Sequence, residues 1–213
     1  TIIEIYDEPL ADSSQIPTYL VSKLARQSVT VSLSGDGGDE LFGGYNRYGW
    51  GESIWRRLRH LPAPARAMAS GALLSIPARH WDTVIGLVRR DSGGQLLGDK
   101  LHKLALMMSV KDRDGLYQKL VSQQRESDSL VLNANKHSHG LQSWDQIQVL
   151  NSHRQQPIQS FAEHAMLRDL LGYMSDDILA KLDRAAMAVS LETRTPLLDH
   201  RVVEFAIGLP MQQ

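Results

Sequence analysis

The chain has 213 residues, 42% hydrophobic and 22% charged, with a formal net charge of −1 and no cysteine. A globular chain of this length can bury roughly 70 to 75% of its unfolded surface, and near-zero charge argues against general nucleic-acid binding. Lack of cysteine removes disulfides, thiolate metal sites and a cysteine nucleophile from these residues and is compatible with a reducing, cytoplasmic setting; no signal peptide or apolar run near 18 residues points to a membrane.

The chain starts at Thr1 and stops at Gln213, shortly after Pro210, so both ends are expected to be cut points. Thr1 to Tyr6 reads as a strand or as the end of an apolar connection; six residues leave both open. Ser13 or Ser14 can cap a helix, Pro17 is tolerated in its first turn, and Ile16, Leu20 and Leu24 form one apolar stripe. Val29, Val31 and Leu33 alternate with Thr30 and Ser32, which predicts a buried strand, and a helix leading into a strand is the α/β pattern.

The strand breaks into Ser34-Gly35-Asp36-Gly37-Gly38-Asp39-Glu40. Glycines let the backbone turn its N–H groups into one concavity that suits an anion. Yet unit charges about 4 Å apart interact by roughly 1 to 4 kcal/mol, so the three carboxylates would repel a bare phosphate. A divalent cation such as Mg²⁺ resolves the conflict, and the loop suggests a nucleotide-metal site. It lacks the phosphate-loop spacing, the dinucleotide fingerprint and the EF-hand alternation, so an acidic turn that merely ends a strand stands beside that reading. Only this strand is convincing, and its sheet partners are expected outside these residues.

Asn46 to His60 mixes aromatics with Arg47, Arg56, Arg57 and Arg59; a solvated helix face with Trp50 and Trp55 turned inward is preferred to phosphate or RNA binding. Ala65 to Ile76 and Ala78 to Val88 read as short helices, Ser92-Gly93-Gly94 as an interhelical turn, and Leu96 to Val110 as a helix with a core stripe. From Lys111 to Gln156 periodicity weakens, and His137 and His139 fall in a polar stretch that suits solvent better than a metal. Ile158 to Met174 forms an amphipathic helix, and Ser175 or Asp176 caps a second one in which Asp177 and Lys181 are spaced i, i+4. Glu192 and Arg194 lie in a turn, Pro196 interrupts, and Asp199 caps a last helix.

Three blocks in order, Asp7-Glu8-Pro9, Val31 to Tyr48 and Lys181 to Asp199, resemble the synthetase domain of glutamine-hydrolysing asparagine synthetases. The resemblance is close at both ends of the chain and weak between about 50 and 155. It implies an α/β fold of the adenine nucleotide alpha hydrolase type, of which these residues form a mainly helical part with one or two parallel strands: 1–48 the nucleotide-site strand and loop, 49–157 a helical region, 158–213 the C-terminal helices. The implied chemistry adenylates a carboxylate, of aspartate or a related acid, with ATP and Mg²⁺, and ammonia from glutamine then displaces AMP. Carried over by position, Ser34 and Gly35 match residues that contact ATP, with Gly37 and Gly38 completing the nucleotide loop. Asp36 matches a residue linked to forming the acyl-adenylate, and Asp39 a Mg²⁺ ligand. Asp183 and Arg184 are candidates to face substrate.

Two departures bear on the acceptor. Asp36 stands where the asparagine-making enzymes usually have Glu, and Pro9 to Gln15 lacks their Thr and Arg, which resembles homologues found beside polysaccharide genes. The glutaminase domain, the S-G-G-x-D-S loop and a downstream catalytic lysine are not among these residues, so the chain alone is expected not to adenylate. A homodimer is expected for the longer protein, with small-molecule partners and neither nucleic acid nor membrane. Alternative readings are a β-lactam synthetase or peptide cyclase type of amide ligase, or a non-catalytic helical interaction module.

Overall fold

The structure, a computed structural model, describes residues 2–7, 10–81, 97–122, 158 and 160–211. In chain order these form α1 (Ile2–Tyr6), α2 (Gln15–Arg26), β1 (Val31–Leu33), α3 (Gly38–Phe42), α4 (Asn46–Leu58), α5 (Ala63–Leu74), α6 (Leu97–Met108), α7 (Arg113–Val121), α8 (Phe161–Arg168), a π-helical stretch (Asp169–Leu179), α9 (Ala180–Met187), β2 (Glu192–Arg194), a 3₁₀ turn (Pro196–Leu198) and α10 (His200–Gly208). The described residues fall into two compact units, one drawn from 1–48 and 138–213, the other from 49–137. The architecture is mostly helical with one small sheet.

That sheet is parallel, with Val31 opposite Glu192, Ser32 opposite Thr193 and Leu33 opposite Arg194. The Glu192 amide donates to the Thr30 carbonyl at 2.9 Å and the Ser34 amide to the Arg194 carbonyl at 2.8 Å, which carries the pairing one residue past β1. A partner for β1 thus lies within the chain, contrary to the expectation that its partners fall outside, and it is not the N-terminal segment, where Ile2–Tyr6 is helical, but Glu192–Arg194, expected as a turn. Three residues are too few for a period-2 signal, and the pairing is a tertiary event. Ser190 makes it possible by adopting φ 58°, a left-handed turn that ends α9 and frees the chain to run beside β1.

The expectation of a buried strand is corrected too, since Val31 and Leu33 lie exposed, Leu33 at 73%. The stripe on α2 behaves alike: Ile16, Leu20 and Leu24 are exposed, while α2 packs on α9 through its opposite face, where Ser22 is buried. Small residues decide this. Ala185 and Ala186 of α9 are fully buried, and with Ser22 they let two helices approach closely.

The expected cap at Ser175 or Asp176 is absent, because the chain stays helical from Phe161 to Met187 and widens to a π-helix over Asp169–Leu179. The Ser175 hydroxyl donates to the Gly172 carbonyl at 3.0 Å instead of capping a new helix. Ser160 does cap α8, accepting from the Glu163 amide at 3.0 Å, and Asp199 caps α10, accepting from the Arg201 amide at 3.0 Å.

In the second unit α5 and α6 pack through polar tethers: Ser70 donates to the Ala105 carbonyl at 2.7 Å and Arg66 to that of Val110 at 2.9 Å. α7 occupies the start of the weakly periodic stretch and buries Leu116 and Tyr117. Trp50 is 67% exposed, against the expectation that it turns inward; Trp55 is half-buried, and Arg56, Arg57 and Arg59 face solvent as expected. The readings made for Glu8, Pro9, most of Ala78 to Val88, Ser92-Gly93-Gly94, and His137 and His139 lie outside the described residues.

Candidate active site

The loop after β1 is built by its own short side chains. The Ser34 hydroxyl donates to the Asp36 carboxylate at 2.5 Å, so the two side chains at the strand end are held together. Gly37 then takes φ 94°, a conformation that costs an L-residue free energy. A Cβ there would also lie 2.5 Å from Leu198 Cδ2, and one on Gly38 3.2 Å from Leu197 Cδ1. Gly37 and Gly38 thus allow the loop to pack on the 3₁₀ turn, whereas Gly35 faces open space.

The three loop carboxylates have separate fates. Asp36 is half-buried at a cavity wall, Asp39 is exposed, and Glu40 is buried, accepting the Tyr45 hydroxyl at 2.8 Å. Burial and the Glu40 carboxylate together push the Tyr45 phenol far above its ordinary value, which keeps it a donor. Glu40 is therefore a structural acceptor. Gly44 lies against Asp39: a Cβ on it would overlap the Asp39 carboxylate and sit 3.2 Å from Asp39 Cα. If Asp39 ligates Mg²⁺ as the resemblance implies, Gly44→Ala displaces that carboxylate and weakens Mg²⁺-ATP affinity about tenfold, with the melting temperature little changed; calorimetric titration beside a thermal melt checks it.

Downstream of the loop, Arg47 and Tyr48 fasten this segment to the π-helix. Asp169 is fully buried and accepts from Arg47 Nη2 at 2.8 Å, Arg47 Nε at 3.2 Å and the Tyr48 hydroxyl at 2.5 Å. The Arg47 guanidinium lies over Tyr45 at 3.8 Å and near the rings of Tyr48 and Tyr173 at 5.5 and 5.3 Å. Burial works against its charge, but the hydrogen bonds and field of Asp169 outweigh that and raise its pKa. Arg47 thus leaves the solvated face expected for it together with Arg56, Arg57 and Arg59, and the sequence offered no sign of this latch, since Asp169 lies more than a hundred positions away.

A cavity of about 360 Å³ brings the strand end and loop to α2 and α9: Ser32, Ser34 and Asp36 share its wall with Thr18, Ser22, Thr193 and Lys181. Lys181 does not pair with Asp177 as its spacing suggests. Its ammonium donates to Asp12, which also accepts from the Ser14 amide at 2.8 Å and hydroxyl at 2.7 Å. Asp183 and Arg184 line a different cavity, of about 540 Å³, with Glu4 and Tyr19; Arg184 also donates to the Tyr6 carbonyl.

Asp12 and Asp177 titrate in opposite senses. Burial lifts Asp12, but hydrogen bonds from Lys181 and Ser14 outweigh it, so its pKa falls below the ordinary 3.8. The stability this adds is present above that value and lost as pH drops through the folded one. Asp177 goes the other way: burial raises its pKa, Lys181 opposes this in part, and Asp12 adds to it. Its folded form holds a proton that the unfolded form has released, so its contribution is lost as pH rises from the ordinary 3.8 through the raised value. Asp177→Asn is therefore expected to raise the melting temperature at pH 7 and leave it unchanged near pH 3, as a pair of calorimetric scans would show.

The asparagine synthase family profile matches residues 1–213. Over 212 residues the chain is 30% identical to asparagine synthetase [glutamine-hydrolyzing] 1 of Bacillus subtilis, covering 98% of this chain and 29% of that protein. It is 31% identical over 209 residues to a putative asparagine synthetase of Mycobacterium tuberculosis, covering 98% of this chain and 28% of the relative. A 41-residue segment, 19% of this chain and 8% of the relative, is 71% identical to a putative asparagine synthetase of Methanocaldococcus jannaschii. The chain thus spans less than a third of the length of these curated relatives, and no solved structure matches it.

Proposed function

The chain belongs to the asparagine synthase family, and from that premise we propose that it forms part of the ATP-dependent half of an amide-forming ligase. In this reading the domain has the adenine nucleotide alpha hydrolase type of fold, and further strands pair with β1. Its reaction activates the carboxylate of aspartate or a related acid with ATP and passes it to ammonia drawn from glutamine. The observation that carries the reading is the cavity in which Ser34 and Asp36 of the glycine-rich loop meet α2 and α9.

Each residue then has a task that its surroundings suit. Ser34, held by its amide on β2 and by its hydroxyl on Asp36, fixes the edge against which a nucleotide lies. Gly35, open on its outer side, lets the backbone come near phosphate. Gly37 and Gly38 keep the turn tight on Leu197 and Leu198. Asp36 faces the cavity with its carboxylate oriented by Ser34, placed to position the reacting acid.

Asp39 fits a Mg²⁺ ligand. It is exposed, its neighbour Gly44 leaves room for the carboxylate, and a single carboxylate suits a metal whose other ligands are phosphate oxygens and water. Among the described residues no group of three carboxylates or imidazoles could hold a metal without such help. When bound, the ion neutralises phosphate charge at the reacting group.

The test is to supply the intact polypeptide with ATP, Mg²⁺, glutamine and candidate acids, following pyrophosphate release and identifying products by mass spectrometry. The reading predicts acid-dependent pyrophosphate and one new amide. ATP binding without an acid-dependent step would point to a different acceptor class such as those of the β-lactam synthetases, and no ATP binding to an interaction module.

A further inference from the structure

Lys181 is the cation among the residues that line the Ser34–Asp36 cavity. The other polar lining groups are the hydroxyls of Thr18, Ser22, Ser32, Ser34 and Thr193 and the carboxylate of Asp36. Burial works against the charge of this lysine, whose side chain is only 11% exposed, but the hydrogen bond and field of Asp12, with Asp177 and Tyr173 nearby, outweigh it and raise the pKa. An ammonium has three donors, and Asp12 accepts the one hydrogen bond that Lys181 makes among the described residues. Asp12 is itself fixed by two bonds from Ser14, so the acceptor that aims the ammonium is preorganised.

A purely structural role explains this less well, because the tie between the N-terminal segment and α9 exists without it. Tyr6 is buried and donates to the Lys181 carbonyl at 3.3 Å, and Arg184 donates to the Tyr6 carbonyl. We propose that Lys181 binds an anionic group of the substrate, a carboxylate or a phosphate, in the Ser34–Asp36 cavity, and that Asp12 is the residue that positions its ammonium there. Asp36 on the same wall balances the charge, so the ligand brings its own cation: the ammonium of an amino acid or the metal on a phosphate. This deepens the ligase reading and rests on it for the identity of the substrate, though not for the binding itself.

The intact polypeptide and its Lys181→Met, Lys181→Arg and Asp12→Asn variants would be titrated by calorimetry with Mg²⁺-ATP, inorganic pyrophosphate and L-aspartate. Losing one charge-assisted hydrogen bond, Lys181→Met should weaken binding of at least one probe about tenfold or more, and Lys181→Arg should restore most of it. Loss confined to ATP and pyrophosphate identifies a phosphate site; loss confined to aspartate identifies a carboxylate site. Asp12→Asn should move the alkaline limit of binding to lower pH, because the partner that raises the lysine pKa has lost its charge. A structural tie would leave that limit in place. Unchanged affinity for all three probes in a folded Lys181→Met protein, or no binding of any probe by the wild type, overturns the proposal. Amide formation at the wild-type rate by Lys181→Met sinks this proposal and spares the ligase reading. Probe binding that depends on Lys181 with no amide from any acid does the reverse.

Discussion

Asp169→Ala is expected to destabilise the unit that holds the loop by about 3 kcal/mol or more, the range measured when one partner of a buried ion pair is removed. Asp169 is fully buried and is the common acceptor for the Arg47 guanidinium and the Tyr48 hydroxyl. Without it, Tyr48 keeps a buried hydroxyl with no such acceptor, and Arg47 keeps a charge among three tyrosine rings. Urea denaturation of the wild type and the variant measures the difference at their midpoints. Asp169→Asn, which keeps an acceptor oxygen but no charge, should fall between them. A loss below about 1 kcal/mol for alanine would mean that the rings alone hold the latch.

Asp39→Ala should leave stability within about 0.5 kcal/mol of the wild type, as exposed positions usually do. On the proposed ligase reading it should nonetheless lower Mg²⁺-dependent kcat/KM of the intact polypeptide on the order of 100-fold or more, since a metal at a phosphate contributes several kcal/mol. Glu40, the adjacent residue, supplies the contrast. Buried against Tyr45, it should show the opposite pattern on conversion to Gln, with a lower melting temperature and a modest kinetic change. Equal kinetic losses at both positions would argue that the loop works through its shape and not through a metal on Asp39.

What the residues disclosed in advance was mostly local. The α2 and α10 segments, the end of β1 at Ser34 and the cap at Asp199 follow from spacing and side-chain chemistry within a few positions, but the cap expected from Ser13 or Ser14 does not form, because the Ser14 hydroxyl donates to Asp12 instead. At α2, Ile16, Leu20 and Leu24 do make a stripe, but which stripe is buried depends on a partner, and α9 presents alanines to the small polar face. β2, the latch at Asp169 and the pairing of Lys181 with Asp12 all join residues far apart in sequence. In the loop, three carboxylates that look equivalent in the sequence differ because Tyr45, Ser34 and Gly44 each claim one of them.

The widened turn between Asp169 and Leu179 sets a rule for how this protein tolerates change in length. A π-helix carries a larger number of residues per turn than an α-helix, and each residue of an α-helix advances about 100° around the axis. Removing one residue between the Asp169 latch and Lys181 can be taken up by relaxation of the stretch toward α geometry, whereas adding one to the already widened turns would swing Lys181 away from Asp12 by about that angle. Insertions that surface loops absorb freely are therefore costly here, and variants that keep both Asp169 and Lys181 should tolerate loss of a residue between them better than gain of one.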